Sequence, residues 1–175
     1  GSQMAVALER LAEYAGEFQR IGLSATVGNP EGVARFLCGH RKFSIVSVPV
    51  ARHIDISVDF SGDSFEKQGA WISRAISRHD SSLIFVNTRV TAEALGHLLH
   101  DRGDVEVHHG SLSKEVRIEA EERFRTGAAK ALIATSSMEL GIDIGRIEHV
   151  IQFGSPREVA RLVQRVGRAG HRMDA

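Results

Sequence analysis

Three short runs constrain this chain more than anything else in it: Leu83-Ile84-Phe85-Val86, Ala131-Leu132-Ile133-Ala134 and Val150-Ile151-Gln152-Phe153. The first two are apolar without a break. Each run is too short for a helix and too apolar to leave one face in water, which is the pattern of a strand buried on both faces. Such strands need helices above and below them, and the intervening sequence supplies helical periods. Phe65, Ile72, Ala75 and Ile76 predict a helix over 65–79. Leu95, Leu98 and Leu99 predict one that Thr91 caps and Gly103 closes. Val116, Ala120 and Phe124 predict one capped by Ser111 or Ser113 and closed by Gly127, and Val105 to His108 is a further strand. Strands alternating with helices through short links imply an α/β fold: a parallel sheet with helices on both faces.

The first fifty residues have a different rhythm. Leu8, Leu11, Ala12, Ala15 and Phe18 predict an amphipathic helix over 6–18. Arg20-Ile21-Gly22-Leu23 reads as a short buried strand ending at Ser24-Ala25-Thr26. Asn29 and Pro30 open a helix as cap and first residue, and Gly39 ends it. Phe43–Val48 and the alternating run His53–Phe60 both read as β. A domain boundary is expected near Val50-Ala51-Arg52, dividing residues 4–50 from 51–175. Gly1-Ser2-Gln3 reads as an expression scar and is set aside.

Composition narrows the function classes. With 42% apolar and 25% charged residues the chain is ordinary for a water-soluble domain. No apolar run is long enough to span a membrane, so no membrane partner is expected. Cys38 is the single cysteine, which fits a reducing, cytoplasmic setting. The formal net charge is zero, which excludes a bulk basic nucleic-acid binder but not a local phosphate groove.

In parallel sheets ligands sit beyond the carboxyl ends of the strands. Those ends carry Asn87-Thr88-Arg89, His109-Gly110-Ser111, Thr135-Ser136-Ser137 and Gly154-Ser155. Short hydroxyls and backbone N–H groups at helix starts are phosphate-binding chemistry. Any one of them is simply a helix cap; four along one edge suit a polyphosphate strand. The last element adds arginine. Ser155, Pro156 and Glu158 read as cap, first residue and capping-box partner of a helix running to Val166, with Arg157, Arg161 and Arg165 along one face. Gly167 and Gly170 then flank Arg168 on a tight turn, where a fixed guanidinium suits a phosphate.

Resemblance enters on five stretches. Ser24-Ala25-Thr26, Phe85-Val86-Asn87-Thr88-Arg89, His108-His109-Gly110-Ser111-Leu112-Ser113, Ala134-Thr135-Ser136-Ser137-Met138-Glu139-Leu140-Gly141-Ile142-Asp143-Ile144 and Gln164-Arg165-Val166-Gly167-Arg168-Ala169-Gly170-His171 fall in the order of the later motifs of superfamily two helicases. The wording of the last two most resembles the large helicase-related (Lhr) family of ATP-driven translocases. The resemblance implies a second RecA-like lobe, the P-loop NTPase-like helicase C-terminal domain, preceded by a remnant of the first lobe. It implies ATP as cofactor, with magnesium held by the first lobe, and single-stranded DNA or RNA as partner beside that first lobe. It casts Arg168 as arginine finger with Arg165 and Gln164 beside it, and Gly141 and Asp143 at the nucleotide. Arg89, His109, Gly110, Ser111, Thr135 and Ser136 become strand contacts, and Ser24 and Thr26 couple nucleotide state to lobe closure. One departure stands out: where the general superfamily pattern ends in arginine, this chain has His171, followed by Arg172.

Absences sharpen the expectation. The chain has no Gly-Lys-Ser/Thr loop and no Asp-Glu pair, so it is expected to be a fragment that hydrolyses no ATP alone. No Gly-x-Gly-x-x-Gly follows the first strand, which removes a dinucleotide-binding reading. His97, His100, His108 and His109 lack a plausible completing ligand, so no metal site is expected. The alternative class is a nucleic-acid-binding module of a helicase-like protein that works without catalysis.

Overall fold

Four parallel strands form one sheet, in the order Val105–His108, Ala131–Ala134, Ser82–Phe85 and His149–Gln152. The computed structural model describes residues 2–24, 27–47, 55–100, 104–139 and 145–169. The chain divides into two compact units, 1–53 and 54–175.

In the second unit α3 (Phe65–Ile76) leads to β1 (Ser82–Phe85), α4 (Arg89–His100), β2 (Val105–His108), α5 (Lys114–Arg125), β3 (Ala131–Ala134), a single 3-10 turn at Ser136–Met138, β4 (His149–Gln152) and α6 (Val159–Val166). Leu83 lies opposite Leu132 on one side and Val150 on the other, so β1 and β3 are central and wholly buried. Their side chains alternate as a two-faced strand requires. Ile84, Val86 and Ile133 meet Ile72, Leu95 and Leu99 from α3 and α4, whereas Leu83, Phe85 and Leu132 meet Ala120 and Phe124 from α5. The outer strands β2 and β4 are only partly buried, which is why they tolerate Glu106 and Gln152. Helix α4 comes close enough to β2 that a Cβ on Gly96 would collide with Val107.

Helix starts fall where polar caps can reach orphan N–H groups. Ser64 caps α3, and Ser113, the second of the two candidates, caps α5 through Val116 N–H at 3.3 Å. For α4 the cap is Thr88 and not Thr91: Thr88 Oγ1 accepts from Thr91 N–H at 3.1 Å. The helix therefore starts three residues earlier and places Arg89 at its first position. The capping box expected at Ser155–Glu158 does not form. Ser155 Oγ accepts from Arg157 N–H at 3.2 Å, Arg157 takes φ 66°, and α6 begins only after Glu158, which makes no side-chain cap. The cause is a tether: Asn87 Nδ2 donates to the Ser155 carbonyl at 2.8 Å, holding this loop against the end of β1.

In the first unit α1 (Ser2–Ala15) takes in Ser2 and Gln3, and α2 (Pro30–Cys38) is capped by Asn29 Oδ1 on Gly32 N–H at 2.9 Å. Two arginines bind this unit together. Arg20 donates to Glu9 and to the carbonyls of Leu8 and Leu37, and Arg41 forks onto Glu17 and also reaches Glu9. Hydrogen bonds from Arg20 and then Arg41 hold the Glu9 carboxyl down to about 2. Cys38 is buried. The strands expected at 20–23, 43–48 and 53–60 are absent from the described residues of those runs, and Leu23 is 95% exposed. A strand is a pairing, and none of the described residues there has another strand to pair with.

Candidate nucleotide and nucleic-acid edge

The carboxyl ends of the strands form one row, in sheet order His109–Ser111, Thr135–Ser136, Asn87–Arg89 and Gly154–Ser155. One side chain links two ends of the row that are not neighbours, those of β1 and β2. From the first position of α4, Arg89 reaches across to donate from Nη1 to Ser111 Oγ at 3.2 Å. Arg89, Gly110, Ser111 and Ser136 are exposed and Thr135 is half-buried. Thr135 sits at the cap position of the 3-10 turn without making a cap bond, so its hydroxyl and that of Ser136 make no hydrogen bond among the described residues.

His109 departs from its expected place at the strand. Its ring is buried, Nε2 lies 2.6 Å from Glu93 Oε1, and Nδ1 accepts from Ser111 N–H at 3.3 Å. Acceptance at Nδ1 assigns the proton to Nε2, which donates to the carboxylate. The imidazole thus shapes the Gly110–Ser111 loop from beneath and leaves the loop itself as the available surface. The reason is local: with Glu93 one turn into α4, an inward ring finds a charged acceptor that an outward ring would lack.

His108, beside it, is buried between two partners. Nδ1 lies 2.8 Å from Ser137 Oγ and Nε2 lies 2.7 Å from Glu121 Oε1. Burial pushes its ionisation below the ordinary histidine value, against the opposing hydrogen bond from Glu121.

The arginine helix splits in two. Arg165, only 1% exposed, turns into the protein. Nε and Nη2 donate to Glu139 Oε1 at 2.8 and 2.6 Å, Nη1 donates to Gln152 Oε1 at 2.7 Å, and the guanidinium carbon stands 5.0 Å from the centre of the Phe85 ring. The face that was expected to hold Arg157, Arg161 and Arg165 keeps only the last two, which share Glu139 Oε1. Arg157 precedes the helix, Arg161 lies 3.8 Å from Glu139, and Arg165 is committed to the core. Arg168 has the opposite fate. It is half-buried on the turn after α6, and its Nε is buried without a hydrogen-bond partner. It forms no ion pair among the described residues. Gly167 caps α6 with φ −60°, so it is not used for a left-handed turn. The helix instead tightens, with Arg168 N–H on the Arg165 carbonyl at 3.1 Å and Ala169 N–H on Val166 at 2.9 Å. A Cβ on Gly167 would sit 3.0 Å from the Val163 carbonyl, so space selects glycine there. Gln164 is half-buried on the same helix.

The chain that builds this sheet edge, with an arginine unpaired among the described residues on the turn after α6, matches a described family over most of its length. A profile described as the helicase conserved C-terminal domain matches residues 67–173. The chain belongs to the helicase conserved C-terminal domain family. Within that family it is similar to Lhr-type helicases. It is 40% identical over 193 residues to ATP-dependent helicase Lhr-Core protein 2 of Thermococcus barophilus, covering 99% of this chain and 22% of that protein. It is 39% identical over 194 residues to ATP-dependent helicase Lhr-Core of Methanothermobacter thermautotrophicus, with the same coverage. This chain thus spans about a fifth of the length of these relatives. Among solved structures, the Mycobacterium smegmatis helicase Lhr bound to ssDNA and AMP-PNP superposes with a TM-score of 0.85 at 40% identity, over 97% of this chain and 25% of that one. The parallel sheet with its flanking helices is therefore the RecA-like fold of a helicase C-terminal domain.

Of the residues expected at the site, Arg89, Gly110, Ser111, Thr135 and Ser136 come together along this helicase edge, and Arg168 stands beyond α6. Ser24 is exposed in the first unit. Thr26, Gly141, Asp143, Gly170, His171 and Arg172 lie outside the described residues. Sequence reasoning missed Glu93, Glu121, Ser137, Glu139 and Gln152 as partners. A readable signal lay in His108, whose partners are Glu121 and Ser137, and in Gln152: both are polar residues at strand ends otherwise bound for the core, where burial demands a hydrogen-bond partner. Among the described residues no three His, Cys, Asp or Glu side chains group as a metal site, and no helix is long and apolar enough to cross a membrane.

Proposed function

We propose that this chain is the second lobe of an ATP-dependent nucleic-acid translocase of Lhr type. In this reading Arg168 serves as arginine finger, and the loops after β1, β2 and β3 carry part of a single strand. The observation that carries the reading is the contrast between two arginines three residues apart. Arg165 has all three guanidinium nitrogens bonded inside the lobe, while Arg168 keeps a buried Nε without a partner and no neutralising carboxylate among the described residues. A partly desolvated guanidinium without a counter-charge fits an anion supplied from outside, and the terminal phosphates of ATP held on another lobe are such an anion. When bound, ATP supplies the phosphoryl group whose transfer drives movement, with magnesium held by that other lobe. The residues here stabilise charge and hold geometry: Arg168 meets negative charge as it develops, and Arg165 fixes the helix that presents it. Arg165 is in this account a positioning residue, and Gln164 lies beside the finger. Gly141 and Asp143 are retained as proposed nucleotide contacts, and Ser24 with Thr26 as coupling residues.

The strand track rests on Arg89, the Gly110–Ser111 backbone, and the hydroxyls of Ser111, Thr135 and Ser136. Contacts of this type address phosphates and not bases. Without a Gly-Lys-Ser/Thr loop in these 175 residues, the isolated chain turns over no ATP.

Titration of the isolated chain with a fluorescein-labelled oligodeoxythymidine at two salt concentrations tests the track. Affinity falls as salt rises, and Arg89→Ala lowers the salt slope by about one counterion. Absence of binding, or binding indifferent to salt and to Arg89, overturns it.

A further inference from the structure

The 3-10 turn at Ser136–Met138 and the Thr135 at its cap position bear two of the proposed strand contacts, and the turn's own backbone gives it little support. Among the described residues its one internal bond is Glu139 N–H to the Ser136 carbonyl at 3.1 Å. Besides Thr135 N–H on the His108 carbonyl at 3.4 Å, side chains hold it. Met138 is buried in the lower core, Glu139 is clamped by Arg165, and Ser137 is bonded to His108. The last contact is the unusual one, because it joins the turn after β3 to the end of β2 and, through Glu121, to α5.

The chemistry of that chain permits one arrangement. Glu121 as a carboxylate can only accept, so Nε2 of His108 donates to it. A neutral ring then presents a lone pair at Nδ1, and the Ser137 hydroxyl donates into it at 2.8 Å. The competing acceptor for that hydroxyl, the His108 carbonyl, is farther away at 3.4 Å. Glu121 thus sets which nitrogen of His108 carries the proton, and the lone pair on the other sets the direction of Ser137.

We infer that His108 and Glu121 are positioning residues for nucleic-acid binding, holding the Ser137 hydroxyl so that Thr135 and Ser136 present their free hydroxyls in one geometry to a strand phosphate. This rests on the strand-track reading above. It deepens that reading by assigning the track's precision to three residues that do not touch the strand.

The two ring nitrogens can be separated by substitution. Asparagine at 108 can place an amide oxygen near the Nδ1 position and keep the Ser137 bond, while it cannot reach Glu121. Glutamine can place an amide nitrogen near the Nε2 position and keep the Glu121 bond, while it abandons Ser137. Each variant loses one of two hydrogen bonds, so a merely structural role predicts similar affinity for both. The test titrates wild type, Ser137→Ala, His108→Asn and His108→Gln with the labelled oligodeoxythymidine, and follows their urea unfolding in parallel. Expected is a loss of about fivefold in affinity for Ser137→Ala and His108→Gln, the loss of one positioned hydrogen bond, with His108→Asn close to wild type. Equal affinity for the Asn and Gln variants, or wild-type affinity for Ser137→Ala, overturns the inference while leaving the track in place. Failure of the wild-type chain to bind overturns the track itself, and the inference with it.

Discussion

Replacing Arg165 by methionine separates the two arginines by stability before any activity is measured. The substitution removes three hydrogen bonds, two to Glu139 and one to Gln152. It leaves the Glu139 side chain, 13% exposed, with Arg161 at 3.8 Å as its nearest cation. Breaking one side of a buried pair costs about 3–5 kcal/mol, because the surviving charge stays desolvated. Methionine keeps apolar contact with Phe85, so the lower part of that range is expected. For the second unit, roughly 120 residues, each kcal/mol corresponds to about 4 °C, so the midpoint falls by about 12 °C or more. Trp71 is the only tryptophan and packs against the core of this unit, so its fluorescence reports unfolding here and not in the first unit. Arg168→Met, which breaks no side-chain bond among the described residues, shifts the same transition by less than about 0.5 kcal/mol. Adding Glu139→Gln to Arg165→Met removes the stranded charge and recovers part of the loss, giving a coupling of at least about 1 kcal/mol. Equal midpoints for the Arg165 and Arg168 variants would refute the assignment of one arginine to the core and the other to an outside anion.

Three further outcomes follow from the packing and titration of the second unit. Gly96→Ala drives a Cβ into Val107 and lowers stability by about 1–3 kcal/mol in urea unfolding followed by Trp71; an unchanged midpoint would contradict the close approach of α4 to β2. Arg157→Gly relieves a left-handed residue at φ 66° and raises stability by about 1 kcal/mol, unless the loop does not adopt that turn. His108 is pushed below the ordinary value by burial, and His149 by burial and then by the charge of His79. Their unfolded forms take up protons near pH ~6.5 that the folded forms resist, so stability is complete above about that pH and declines as pH falls through it. Melting points taken between about pH 7.5 and 5.5 check this, and a flat profile would count against it.

The legible part of the fold was the part whose signal is local. Runs such as Leu83–Val86 and Ala131–Ala134 announce burial on two faces by themselves, and the helices between them follow from period and caps. The runs at 20–23 and 43–48 look equally β-like, yet a strand exists only with a neighbour, and sequence does not say whether a neighbour is there. At the candidate site, serine, threonine and glycine at strand ends were legible as one edge, since topology alone brings those ends together. Which side chains turn inward was not legible. Arg165 and Arg168 are the same residue type three positions apart. What separates them is Glu139 and Gln152, which come from other elements and meet Arg165 only through the sheet order. The inward turn of the His109 ring was hidden for the same reason, because its partner Glu93 comes from another element, α4.

The central claim, that Arg168 acts on nucleotide phosphates and not on the strand, is tested most directly by Arg168→Ala in the intact protein. Nucleic-acid-stimulated ATP turnover and single-strand affinity are measured on the same preparation. The account predicts that turnover falls on the order of a thousandfold while affinity is retained. Turnover that survives while affinity collapses would make Arg168 a strand contact and contradict the account.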